Sequence, residues 1–147
     1  MADKAKVLVV ANQTAESEEL LAALMARSDQ GPVEFTVLIP ATPHGLSWAA
    51  NMYADKGLEE AEDHKQAMVD RLRAMGLDVT EARVGDADAL AAIQDEVNFH
   101  DYDELIVSTL PLKISKWLRI DLPRKAEAAT GLPVMHIVAH ASKAHAS

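Results

Sequence analysis

Five short apolar runs, each separated from the next by a stretch with helical periodicity, constrain this chain more than any other feature. Val7-Leu8-Val9-Val10-Ala11, Phe35-Thr36-Val37-Leu38-Ile39 and Leu105-Ile106-Val107 are continuous and rich in β-branched residues, as strands covered on both faces must be. Val79-Thr80-Glu81-Ala82-Arg83-Val84 alternates instead, which predicts a sheet edge. Val134-Met135-His136-Ile137-Val138 is the fifth, opened by Pro133, whose missing N–H costs little at the start of a strand.

The intervening segments read as helices. Thr14 is placed to cap the first, with Glu16, Glu18 and Glu19 in its early turns and Leu20, Leu21, Leu24 and Met25 as its buried stripe, an arrangement that suits both the helix dipole and a core face. Leu58, Ala61, Met68, Leu72 and Met75 recur at three-and-four spacing and stop at Gly76, with Lys65 interrupting the stripe. Asp86 is an expected N-cap for a third helix burying Leu90, Ile93 and Val97, and Pro123 and Gly131 bound a fourth. The order βαβαβαβαβ with right-handed crossovers predicts one α/β domain, a three-layer α/β/α sandwich around a five-stranded parallel sheet.

Size and composition fit that reading. The chain has 147 residues, 49% hydrophobic and 25% charged, enough for a single core. The domain is expected over residues 1–140, with 141–147 as a disordered tail lacking any apolar period. A surplus of 23 acids over 14 bases gives a net charge of -9, which argues against a nucleic-acid partner, since that needs a broad basic face. The absence of cysteine excludes disulfides, thiolate metal sites and thiol catalysis. Met1 to Lys6 leads straight into the first strand and no apolar run approaches a membrane span, so no membrane association and a cytoplasmic location are expected. His136 and His140 lie four residues apart on a predicted strand, about 13 Å, too far to share a metal, so no metal site is expected.

Against this acidic background, residues 113 to 125 hold Lys113, Lys116, Arg119, Arg124 and Lys125 against the single acid Asp121. They follow Ser108 and Thr109 at the end of the fourth strand, with Ser115 between. Hydroxyls and cations just past the carboxyl end of a buried strand suit an anionic ligand. The same residues can also simply end a strand and solvate a loop. Pro40 opens a connection through His44, Gly45 and Trp48 that exceeds a minimal loop, and such loops often carry function. His44 could cover a ligand and Trp48 could plug the sheet edge; Trp117 and Leu118 could pack a loop on the core or meet a protein partner. Glu59, Glu60, Glu62, Asp63, Asp95 and Glu96 read as solvated helix faces. No Gly-x-Ser-x-Gly elbow or other nucleophile arrangement is present.

The order of elements resembles the universal stress protein family along nearly the whole chain. The resemblance rests on Asn12-Gln13-Thr14 after the first strand, Gly85 closing the third, Asp101-Tyr102-Asp103-Glu104-Leu105-Ile106-Val107 leading into the fourth, and Thr130-Gly131-Leu132-Pro133-Val134 opening the fifth. It implies strand order 3-2-1-4-5, a homodimer through the fifth strand, and a nucleotide site at the carboxyl edge. Nucleotide-binding members carry an Asp after strand one, here Asn12, and a phosphate loop of the form Gly-x-x-Gly-x9-Gly-Ser/Thr after strand four. In this chain Val107, Leu110 and Ile120 stand at the glycine positions and Asp121 at the hydroxyl. Side chains there hold the backbone away from an anion that glycines would let it cradle.

Asn12, Thr14, Pro40, Gly85, Ser108, Thr109, Ser115, Lys116 and Arg119 are therefore the candidate ligand-binding residues. The expected function is that of a non-enzymatic stress-response or regulatory protein with a degenerate nucleotide pocket, binding a small anion or nucleotide-like ligand weakly, with an unidentified protein as a further partner. Two alternatives stay open. An adenine-nucleotide-binding enzyme of a related fold would need a phosphate loop after strand one, where this chain has Glu16. A flavodoxin-like carrier would use Thr14 and Ser17, and its purified form would be yellow.

Overall fold

The computed structural model describes residues 4–12, 14–41, 50–111 and 116–140, apart from the side chains of 50–58, 116 and 119. The expected tail over 141–147, the Trp48 plug, His44, Lys113 and Ser115 lie outside the described residues. In chain order the elements are β1 (Ala5–Val10), α1 (Glu18–Asp29), β2 (Val33–Pro40), α2 (Ala50–Ala74), β3 (Val79–Gly85), α3 (Ala89–Phe99), β4 (Glu104–Thr109), α4 (Lys116–Arg119), α5 (Leu122–Thr130) and β5 (Val134–Val138). The five strands form one parallel sheet in the order β3-β2-β1-β4-β5. This is the predicted α/β/α sandwich and the predicted strand order.

Strand alternation divides the core between two faces. Val7, Val9, Phe35, Val37, Ile39 and Ile106 pack with Leu20, Leu24, Met68 and Leu72 under α1 and α2. Leu8, Val10, Leu38, Leu105 and Val107 face the other way, against Ile93, Leu122 and Ala126 of α3 and α5. Trp117 is half-buried against this second cluster, so it packs on the core. At the sheet's outer edge the pairing of β2 with β3 shifts register between Phe35 and Thr36, where the exposed Thr80 is accommodated as a bulge.

Two caps differ from expectation. The cap of α1 is Ser17, whose hydroxyl accepts from the Leu20 N–H at 3.2 Å; Thr14 sits one turn earlier, and its hydroxyl is taken by β4. The cap of α3 is Asp88, accepting from the N–H groups of Leu90 and Ala91. Asp86 instead accepts from the Asp88 N–H at 2.8 Å, which orders the approach to the cap. Glycine closes α5 as predicted, with Gly131 at φ 73. No described helix is long and apolar enough to cross a membrane.

Candidate functional site

Parallel pairing aligns the carboxyl ends of β1 and β4, with Val10 opposite Val107. The residues just beyond, Asn12 and Thr14 on one side and Ser108 and Thr109 on the other, are thereby brought to one edge. Thr14 and Ser108 are each only 1% exposed, and their hydroxyls meet at 2.6 Å. On the opposite face of β4, the Thr109 hydroxyl is 2.8 Å from His136 Nε2. Pro40 closes β2 beside Asn12, whose side-chain amide donates to the Pro40 carbonyl at 2.8 Å. Each described candidate with a polar side chain is thus already tied to another part of the protein.

Gly85 lies at the same edge, paired with Pro40, and its carbonyl accepts from the Ala41 N–H at 3.0 Å. A Cβ added at Gly85 would come within 2.9 Å of the Ala92 Cβ and 3.0 Å of Leu38 Cδ1. The glycine therefore permits the close approach of α3 to the sheet. Lys116 and Arg119 bound the single turn of α4. Beyond it Asp121 adopts φ 56, the one positive φ among described non-glycine residues. Its carboxylate lies 3.6 Å from Arg124 and caps no backbone N–H of α5. The chain thus makes its left-handed turn on an acid, where the nucleotide-binding pattern would put a hydroxyl beside phosphate.

Two histidines join this edge. His64 Nδ1 is 2.6 Å from the Asn12 carbonyl oxygen; since a carbonyl only accepts, Nδ1 carries the proton. The series Ala61, His64, Met68, Leu72 has the spacing of a buried stripe, which is the sequence signal for His64, and Lys65 stands beside it. Lys65 instead pairs with Glu62 at 2.8 Å. His136 is the second, reaching the edge through β5. Burial holds its imidazole below its ordinary pKa, and Asp121 opposes this only in part. His140 lies beyond β5 and donates to Glu19 at 2.5 Å, away from His136. No group of three or more metal-ligating side chains occurs among the described residues.

At the other end of the sheet, Glu96 departs from its expected place on a solvated face. It is 7% exposed and accepts from Arg83 at 2.9 Å and from the Tyr102 hydroxyl at 2.6 Å. Burial raises its pKa, but the bonds from Arg83 and Tyr102 outweigh that and hold the carboxyl below the ordinary range. Burial, reinforced by the same carboxylate, pushes the Tyr102 phenol up to about 12. Arg83 also pairs with Glu81. Helical periodicity placed Glu96 outside, but α3 brings it against Arg83 of the edge strand, a neighbour that periodicity cannot see.

No family model matches the sequence, and no curated protein matches it significantly. Solved structures do. A universal stress protein family member from Arabidopsis thaliana with AMP bound superposes with a TM-score of 0.63 at 15% identity, covering 97% of both chains. A universal stress protein from Archaeoglobus fulgidus gives 0.63 at 16% identity, over 90% of this chain and 93% of its own. A universal stress protein in complex with cAMP gives 0.50 at 20% identity, over 96% of this chain and all of its own. With the strand order, the helix placement and near-complete coverage in agreement, this chain has the fold of the universal stress proteins.

Proposed function

We propose that the protein is a non-enzymatic regulatory domain of the universal stress protein type, acting in the cytoplasm as a homodimer and holding at most a small anion or a weakly bound nucleotide-like ligand. The observation that carries this reading is the mutual engagement of Asn12 with Pro40, Thr14 with Ser108 and Thr109 with His136. A ligand would have to displace these bonds and offer equal ones in return. Relatives of the same fold hold AMP or cAMP, which supports a nucleotide-like occupant. Val107, Leu110 and Ile120 in place of glycines and Asp121 at the hydroxyl position support weak binding of phosphate. Lys116 and Arg119 are the cations assigned to any anion there.

The dimer reading is supported by β5, which ends the sheet with Met135 41% and Val138 50% exposed. An edge carrying apolar side chains and no charge along its length is prone to pair.

Native mass spectrometry of protein purified without added nucleotide, set against its denatured mass, reads ligand and stoichiometry together. The expected result is a dimer at tens of micromolar, about the range that captures weak self-association, without stoichiometric ATP and without ATP turnover above background. A monomer at those concentrations overturns the dimer. Micromolar ATP binding that survives both Lys116→Ala and Arg119→Ala overturns the placement of the pocket.

A further inference from the structure

Strand β5 is bonded to β4 along one edge and to no described strand along the other. Met135, His136 and Val138 are exposed on it. His136 is the single titratable side chain of the strand and stands at its midpoint. A two-fold axis normal to the sheet would set two such edges antiparallel, and two-fold symmetry is the commonest in homodimers. The register that pairs the whole strand then sets Val134 opposite Val138 and Met135 opposite Ile137, apolar against apolar, and His136 opposite its own counterpart. The pleat allows slips of two residues only. A slip of two in either direction shortens the pairing and sets His136 against a valine. Directly opposite residues lie about 4.5–5.5 Å apart at Cα, so the two imidazoles become cross-strand neighbours.

The surroundings of His136 offer an imidazolium little compensation. From β4, the Thr109 hydroxyl lies 2.8 Å from Nε2, a neutral partner. From the turn before α5, Asp121 is the charged group that acts on the ring among the described residues, and its carboxylate is shared with Arg124 at 3.6 Å. From α1, Glu19 is engaged by His140, beyond the end of β5.

We propose that His136 makes the homodimer sensitive to acid, its neutral imidazoles packing side by side across the two-fold axis and its protonated forms driving the two copies apart. This inference rests on the reading of β5 as the dimer edge. Like charges directly opposite destabilise a strand pair, and pairing also takes both rings out of water, which disfavours their charged form. Protonation is therefore harder in the dimer than in the monomer. Association is full above the monomer's titration range and is lost as pH falls through the dimer's lower one.

The test is equilibrium sedimentation of the full chain at about pH 8 and about pH 5.5, a span that brackets the ordinary histidine range. The dimer Kd should rise about tenfold or more toward acid. His136→Asn should hold the dimer at both pH values, whereas His140→Gln should keep the acid response. A second measurement reads the register directly. In this cysteine-free chain, His136→Cys should oxidise with glutathione disulfide to a covalent dimer, because opposite positions lie within disulfide reach, and Met135→Cys should link far more slowly. A monomer at about pH 8 overturns the dimer reading and this inference with it. A dimer whose Kd is the same at both pH values, or whose acid response survives His136→Asn, overturns the switch and leaves the dimer standing. Linking of Met135→Cys as fast as His136→Cys overturns the juxtaposition of the two imidazoles.

Discussion

The contact between Thr14 and Ser108 joins the two sides of the candidate site, two buried hydroxyls 2.6 Å apart on segments 94 residues apart in sequence. Removing one partner strands the other away from water, at a cost of about 1–3 kcal/mol; removing both leaves no unmet donor between them. Thr14→Val and Ser108→Ala should therefore each destabilise by about that amount, and the double variant by clearly less than their sum. Urea unfolding of the four proteins in the cycle measures the coupling. Strict additivity would mean that the two hydroxyls are satisfied elsewhere. The same pairing weakens the flavodoxin-like alternative, since Thr14 bonds Ser108 and Ser17 caps α1.

At the level of elements, the packing of α3 on the sheet turns on a single missing methyl. Gly85 faces the Ala92 Cβ and Leu38 Cδ1 at distances no added Cβ could tolerate without movement. Ala92 belongs to the buried stripe of α3, so the helix itself must shift. Gly85→Ala should destabilise by about 1–3 kcal/mol, the usual cost of overpacking. Combination with Ala92→Gly should recover part of that loss despite the helix penalty of glycine, about 1 kcal/mol. Thermal unfolding of the single and double variants decides; no recovery would mean that Leu38, not α3, is the obstacle.

For the whole molecule, burial and charge pairing set the response to acid. His136 is held below its ordinary 6.5, so the unfolded chain binds the proton first and stability falls as pH drops from that value through the folded one. Glu96 is held below its ordinary 4.5, so its contribution is complete above 4.5 and is lost as pH falls through its lower folded value. The melting temperature, followed from about pH 8 to about pH 3, should decline in two stages. His136→Asn should remove the upper stage. Glu96→Gln should lower stability at neutral pH and flatten the lower one. A profile unchanged by both substitutions would show that other groups control acid unfolding.

The sequence by itself determined the architecture, because its signals are local. Continuous β-branched runs at 7–11, 35–39 and 105–107 can only be strands buried on both faces, and the amphipathic segments between them force parallel crossovers of one hand. Pro133 and Gly131 likewise declare their places through backbone chemistry alone. The strand order and the edge at which Asn12, Thr14, Pro40, Gly85, Ser108 and Thr109 meet were legible through the family resemblance. Tertiary structure alone decided what those residues do, since a hydroxyl offered to a ligand and one spent on Ser108 look the same in one dimension. It also decided that His64 reaches the end of β1, that Gly85 serves packing, and that Glu96 is buried on Arg83. Each depends on what stands across a contact from a distant segment, and periodicity within one helix or strand carries no record of that neighbour.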